Sequence, residues 1–287
     1  MRHLIGLGFT VAAMIAAGSA SAAGVEIRDA VVRVTVLPEA RSDVSVQIVK
    51  TNPKLPLRVT HNDDGRVVVD GGPDEGWLGG LFGRRAASCN FSGQHPSVTV
   101  WGVGSIDVDD MPQIIVHTPM DAEVSTSGAT IGSINRTDSL VLSIAGCDDW
   151  TVANVRGRLK IHDAGSGRIR AGTAGELAMS IAGSGSLHTH AIANGVSAHI
   201  AGSGEVDIEQ ASGPIQVEIA GHGDVRIGGG HATDMRVSIV GSGDVAYKGV
   251  ADNLRAAIAG SGEIVVAKVT GTIHKSIAGS GAIDVGR

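Results

Sequence analysis

Ile181-Ala-Gly-Ser-Gly185 returns as Ile200-Ala-Gly-Ser-Gly204, Ile219-Ala-Gly-His-Gly223, Ile239-Val-Gly-Ser-Gly243, Ile258-Ala-Gly-Ser-Gly262 and Ile277-Ala-Gly-Ser-Gly281. The isoleucines stand 19, 19, 20, 19 and 19 residues apart. A fixed period near 20 marks a solenoid, in which each repeat buries its apolar face on its neighbours. Before each Ile the residues alternate apolar and polar, as in Ile215-Gln-Val-Glu-Ile219 and Met235-Arg-Val-Ser-Ile239. After each Gly-Ser-Gly a second alternation follows: Val206 and Ile208, Val225 and Ile227, Val245 and Tyr247, Ile264 and Val266, Ile283 and Val285. Period two means strands with one buried face. Two short strands per repeat joined by a Gly-rich corner make one coil of a β-helix, and stacking at about 4.8 Å sets each inward Ile on the Ile below. The two Gly columns, 183 to 279 and 185 to 281, mark a corner that needs φ > 0 or close approach of stacked backbones. A left-handed β-helix carries a strict hexapeptide rhythm, which is absent. The expectation is an all-β, single-stranded, right-handed parallel β-helix of about 19 residues per coil.

Working outward, looser copies precede the clean ones. Asp163-Ala-Gly-Ser-Gly167 and Ser143-Ile-Ala-Gly-Cys-Asp148 keep the register, and Ala122 to Gly128 is a degenerate copy. Val98-Thr-Val100, Trp101-Gly-Val-Gly104 and Ile106-Asp-Val108 read as the start of the regular coils, near Ser97. Further upstream, Ala30–Val36, Val44–Val49, Leu57–Thr60 and Arg66–Val69 are β-rich runs punctuated by Pro38, Pro53, Pro56 and Asn62-Asp-Asp-Gly65. No 19-residue rhythm shows there, so irregular coils that cap the open solenoid end are expected. At the far end Lys275 takes an inward position, where its stem can lie on apolar surface while the ammonium reaches water, as a C-terminal cap requires.

Residues 1–22 read as a signal peptide: Arg2 and His3, an apolar run from Leu4 to Gly18, and the cleavage pattern Ala20-Ser21-Ala22. The expectation is an exported chain with no transmembrane helix after cleavage, in the periplasm first, with the cell surface or medium as the alternative. The organisation is then leader 1–22, irregular β-rich N-terminal coils or cap 23–97, and regular coils 98–287. With 23 Lys and Arg against 29 Asp and Glu, the chain lacks the basic footprint of a nucleic-acid binder. Aromatic residues make only 2% of it, so Val, Ile, Leu and Ala must form the core. Thin stacked coils suit such small residues.

The repeated Ile-Ala-Gly-Ser-Gly-(Asp/Glu)-Val/Ile blocks behind a leader, with Ala145-Gly-Cys-Asp-Asp-Trp-Thr-Val-Ala-Asn-Val155, resemble the bacterial GIN-domain family of autotransporter adhesin head domains. The similarity covers residues 98–287 well and the earlier strands more loosely. It implies an exported parallel β-helix with an adhesive role and brings no catalytic residues. The sequence shows no C-terminal pattern of membrane-barrel strands.

Four features carry candidate chemistry. The residue after the corner is acidic in four successive coils, Glu205, Asp224, Asp244 and Glu263. Stacked like charges would be relieved by Ca²⁺, but the ladder breaks at Ser186 and Ala282 and lacks the nine-residue calcium repeat, so a solvated acidic stripe is expected and no cofactor. Histidines are numerous (His162, His188, His190, His199, His222, His231, His274). His188 should face outward one coil below Asp207, and His199 one coil below Glu218; a closed metal site needs three or four converging ligands, so outward polar residues are the expectation. Cys89 and Cys147, in an oxidising compartment, form a candidate disulfide that would tie the cap to an early coil and contribute roughly 4 kcal/mol in the chain-entropy model, although Cys147 also fits the corner Ser column as a free small residue. Gly71–Arg85 reads as a loop carrying Trp77, Leu81 and Phe82, a candidate surface contact.

The functional expectation is a non-enzymatic, adhesin-like or envelope binding or structural module, monomeric or weakly self-associating, with an unidentified envelope, glycan or protein partner. The rival is a polysaccharide lyase or hydrolase on the same scaffold, which needs clustered carboxylates in a groove. Asp148-Asp149-Trp150 and Asp107-Val108-Asp109-Asp110 are the clusters to inspect, with turn residues as the plain reading.

Overall fold

A computed structural model describes residues 24–72, 86–91 and 96–286. The expected leader at residues 1–22 and the candidate contact residues Trp77, Leu81 and Phe82 lie outside the described residues. The described chain is almost wholly strand, a parallel β-solenoid of about 9 turns with ~19 residues per coil. Each coil holds two strand segments. The segments before the corner stack as Val155–Asp163, Ala174–Gly183, Val196–Gly202, Gly213–Gly221, His231–Gly241, Leu254–Gly260 and Ile273–Gly279, parallel and in register. Those after it stack as Arg168–Ala171, Ser186–Ile192, Glu205–Ala211, Asp224–Ile227, Asp244–Ala251, Glu263–Val269 and Ala282–Val285.

The register puts like on like. Ile181, Ile200, Ile219, Ile239, Ile258 and Ile277 form one column, and Trp150, Ile169, Leu187, Val206, Val225, Val245, Ile264 and Ile283 another. Nearly all are buried. Fully burying such a side chain is worth about 1.5–3 kcal/mol, which a column repeats coil after coil.

The two glycine columns have different causes. Gly202 sits at φ 127°, and a Cβ there would run into the Gly183 carbonyl oxygen of the coil below. Gly204 has no such φ; a Cβ there would come within 2.8 Å of Ile181 Cγ2. The second glycine is therefore the space into which the inward Ile of the previous coil leans. The backbone ladder continues through the corner, with the amides of Ser203, Ser242 and Ser261 donating to Gly183, Gly221 and Gly241 at 2.9 Å.

The N-terminal end differs from expectation. Gly24–Glu39 is itself the first coil, bent near Asp29 and stacked in parallel on Asp121–Ile134, which stacks on Ser139–Val152. The cap is the chain inserted between these coils. Val67–Asp70 and Gln113–Pro119 extend the ladder past the first coil, and Arg58–His61 and Ser45–Lys50 close it by pairing antiparallel. Antiparallel strands end a parallel stack because they offer the next coil no matching register. Ser97–Val100 and Gly104–Asp107, where regular coils were expected to begin, also pair antiparallel, forming a meander with Ala86–Asn90. The alternation of Val98, Val100 and Ile106 is real, but it faces a separate small core with Val31, Leu55, Met111 and Ala129 outside the corner. At the other end Lys275 stands in the Ala256 column, and its Nζ donates to the Ile283 carbonyl at 2.7 Å.

Candidate functional site

The outer face of the pre-corner sheet is a continuous surface that runs along successive coils. One outward column runs Ser125, Ser143, His162, Ser180, His199, Glu218, Ser238, Ala257, Ser276. Beside it runs Ala182, Ala201, Ala220, Val240, Ala259, Ala278. Small side chains leave shallow troughs, about 440 Å³ over Ser125, Ser143, His162 and Ser180 and about 370 Å³ between the Gln216–Arg236–Arg255 column and Glu218. Val240 is 58% exposed in the alanine column. Trp101, which the sequence reading assigned to a coil, sits 76% exposed at the tip of the hairpin formed by Ser97–Val100 and Gly104–Asp107. Its signal was Trp-Gly-x-Gly, a hairpin-turn pattern as much as a coil corner.

On the post-corner sheet the four acidic residues stack as expected from their period. Three of the four carboxylates, those of Glu205, Asp224 and Asp244, are already engaged. Arg226 bonds Glu205 and, at 3.0 Å, Asp224. The Asp244 amide donates to Asp224 at 3.3 Å, and the Glu263 amide to Asp244 at 3.0 Å. Asp224 and Asp244 thus each accept the amide of the acidic residue above.

The same face gathers a group that the sequence reading left apart. His188 pairs with Asp207 in register, Nδ1 to Oδ2 at 3.3 Å; on the pre-corner sheet His199 pairs likewise with Glu218 at 3.1 Å. His190 Nδ1 lies 2.9 Å from Glu209 Oε1, and His188 Nε2 lies 3.8 Å from the same oxygen. His188, His190 and Glu209 are exposed and bring their ligand atoms within 4.8 Å of one another. The signal was present: His-x-His on one strand face with Asp-x-Glu one period later.

The carboxylate clusters of the enzyme reading resolve differently. Asp148, Asp149 and Trp150 are strand residues, not turn residues. Asp149 is held by Arg168 at 3.4 Å and Arg170 at 2.6 Å. The Trp150 indole is buried and donates to Thr130 Oγ1 at 3.1 Å. Asp148 is buried, bonded to Thr130 and, at 3.4 Å, to Thr126. Burial pushes its carboxyl up to about 7, helped by the charge of Asp163 and opposed by the Thr130 hydroxyl. Asp163 is pushed up to about 6 by burial, with the Gly167 amide opposing. Raised carboxyls often mark catalysis, but both groups are closed inside the corner. Asp109 and Asp110 form a short 3₁₀ turn whose carbonyls receive Lys50 and Asn52.

Cys89 and Cys147 are joined as a disulfide with Cα atoms 6.1 Å apart, linking the antiparallel meander to the corner of Ser139–Val152. Among the described residues no helix is long and apolar enough to cross a membrane. No curated protein matches the chain. Residues 105–230, somewhat less than half of the chain, match the family model described as "Putative auto-transporter adhesin, head GIN domain".

Proposed function

We propose that this is an exported, non-enzymatic binding module of the cell envelope, an adhesin-like rod that presents its pre-corner sheet to a partner. The observation that carries it is the continuous outer face, with columns rich in Ser and Ala beside the partly charged Gln216–Arg236–Arg255 column, in register over successive coils. A flat, repetitive surface of small residues suits a repetitive or extended partner such as a glycan chain or another strand-rich protein, and it offers no enclosed substrate cleft. The family match supports adhesion and export. The leader-like sequence pattern of residues 1–22 is in keeping with the periplasm or cell surface. The acids with raised pKa are sealed in the core and Asp149 is committed to two arginines, which favours binding over glycoside chemistry.

Protease treatment of intact cells, against lysed cells and a periplasmic marker, tests the reading. Loss of the protein from intact cells supports an adhesive surface role. Survival until lysis removes adhesion and leaves a periplasmic scaffold. A cytoplasmic fractionation pattern overturns export altogether.

A further inference from the structure

We infer that His188, His190 and Glu209 bind a divalent transition-metal ion of the zinc class on the post-corner face, with Asp207 positioning His188.

The fold creates the arrangement. His188 and His190 are two residues apart on Ser186–Ile192, so the pleat points both imidazoles to one side. The next coil places Asp207 beside His188, and Glu209, two residues on, points the same way beside His190. Two nitrogens and one carboxylate oxygen then face a common point within 4.8 Å of each other. Ligand atoms about 2.0–2.2 Å from a tetrahedral zinc lie roughly 3.3–3.6 Å apart, so small rotations of exposed side chains close the site.

Two further features separate this group from ordinary exposed polar residues. Asp207 engages His188 through Nδ1, while Nε2 is the nitrogen that faces Glu209. A carboxylate on one ring nitrogen keeps the proton there and directs the other lone pair at the metal, the usual support of a metal-binding histidine. The neighbouring cations are also turned away. Arg170, in register below His188, bonds Asp149, and Arg226, in register above Asp207, bonds Glu205 and Asp224. Asp207 and Glu209 therefore leave two negative charges at the group, matched to a dication.

The donor set selects the ion. Two imidazoles and a carboxylate suit Zn²⁺, Co²⁺, Ni²⁺ or Cu²⁺ and not Ca²⁺ or Mg²⁺, which take oxygen ligands. Three protein ligands leave a fourth position for water or a donor from outside the chain. This inference is independent of the proposed function, since a periplasmic scaffold and a surface adhesin would carry the site equally.

The test is titration calorimetry of untagged protein, stripped with chelator and dialysed, with Zn²⁺ alone at neutral pH. One saturable site per chain is expected. His190→Ala and Glu209→Gln each weaken it roughly tenfold or more, and Asp207→Asn weakens it about 10–100-fold through the positioning of His188. His199→Ala, which removes a His–Glu pair on the pre-corner sheet, leaves it unchanged. All these side chains are exposed, so the variants keep the wild-type melting curve without metal. Absence of saturable binding to the wild-type protein overturns the inference, as does binding that persists in the His188→Ala/His190→Ala double variant.

Discussion

The carboxylate of Asp163 leans against Gly185 just as the side chain of Ile181 leans against Gly204 one coil on. Asp163 pairs in register with Ile144 below and Ile181 above, so a charged residue stands inside the isoleucine column. It is 3% exposed, and no protein group donates to either oxygen with hydrogen-bond geometry. Asp148 arises from the complementary exchange. The coil below it carries Thr126 in the Ile column, and the shorter side chain leaves space that Asp148 fills in the second glycine column. The corner rule is thus kept in volume while its polarity is reversed.

Asp163→Ile should restore the column. A buried, unsatisfied carboxylate costs about 1–3 kcal/mol, so the variant is expected to gain stability of that order at neutral pH. Asp163→Asn, which keeps the polar burial, should gain less. Urea denaturation of the three proteins at constant m-value checks the ordering; a destabilised Asp163→Ile would show that the site does not accept the volume of its neighbours.

Both acids also set a pH dependence. Their folded pKa values, about 7 for Asp148 and about 6 for Asp163, lie above the ordinary carboxylate value near 3.9. The folded state therefore binds more protons than the unfolded chain between those limits, and stability falls as pH rises. The contribution is complete below about pH 4 and is lost as pH rises through about 6 to 7. Melting temperature should accordingly rise from pH 7.5 to pH 5, and the Asp148→Asn/Asp163→Asn double variant should flatten that rise. A wild-type melting temperature that falls over this interval would contradict the assignment.

The regular coils were legible in the sequence because they repeat one steric solution: an Ile, a left-handed glycine, and a glycine that makes room for the Ile below. The N-terminal half was not, because its first coil is separated from its second by inserted chain. No period can show across Ala40 to Met120 when Gly24–Glu39 stacks on Asp121–Ile134. The hairpin at Ser97–Asp107 misled for a related reason, since alternation reports a half-buried strand without saying which core it faces. The outward positions of His188 and His199 followed from period two, while the meeting of His188, His190 and Glu209 needed side-chain directions across coils.

Gly132 is the contact surface for the buried indole. Trp150 lies in register with it, and a Cβ at Gly132 would overlap the ring carbons. Gly132→Ala should force the indole off its rotamer and weaken its bond to Thr130, costing about 1–3 kcal/mol. The Trp150 fluorescence should shift toward that of an exposed indole. An unchanged spectrum and an unchanged midpoint would refute this packing.

The Cys89–Cys147 bond closes a loop with a sequence separation of 58 and fastens the meander to the solenoid corner. Cys89→Ser/Cys147→Ser should lower stability by about 2–5 kcal/mol, with proteolytic cleavage beginning in the 86–107 segment before the coils. Equal resistance of that segment in both proteins would mean that the small core around Val98, Val100 and Met111 holds the meander unaided.

The acidic ladder predicts a null result with one ion and a contrast with another. Glu205, Asp224, Asp244 and Glu263 stack, but Arg226 and the amides of Asp244 and Glu263 already engage the carboxylates of Glu205, Asp224 and Asp244. Calcium would have to displace those bonds for little return, since the carboxylates are splayed along a ladder and do not surround one point. Millimolar Ca²⁺ should leave the melting temperature unchanged, whereas Zn²⁺, which binds only the folded arrangement of His188, His190 and Glu209, should raise it by mass action. Arg226→Gln sharpens the distinction. It frees Glu205 and Asp224, so any latent calcium affinity of the ladder would emerge in that variant, while the zinc response should persist. A calcium shift already present in the wild-type protein would make the ladder a cation site.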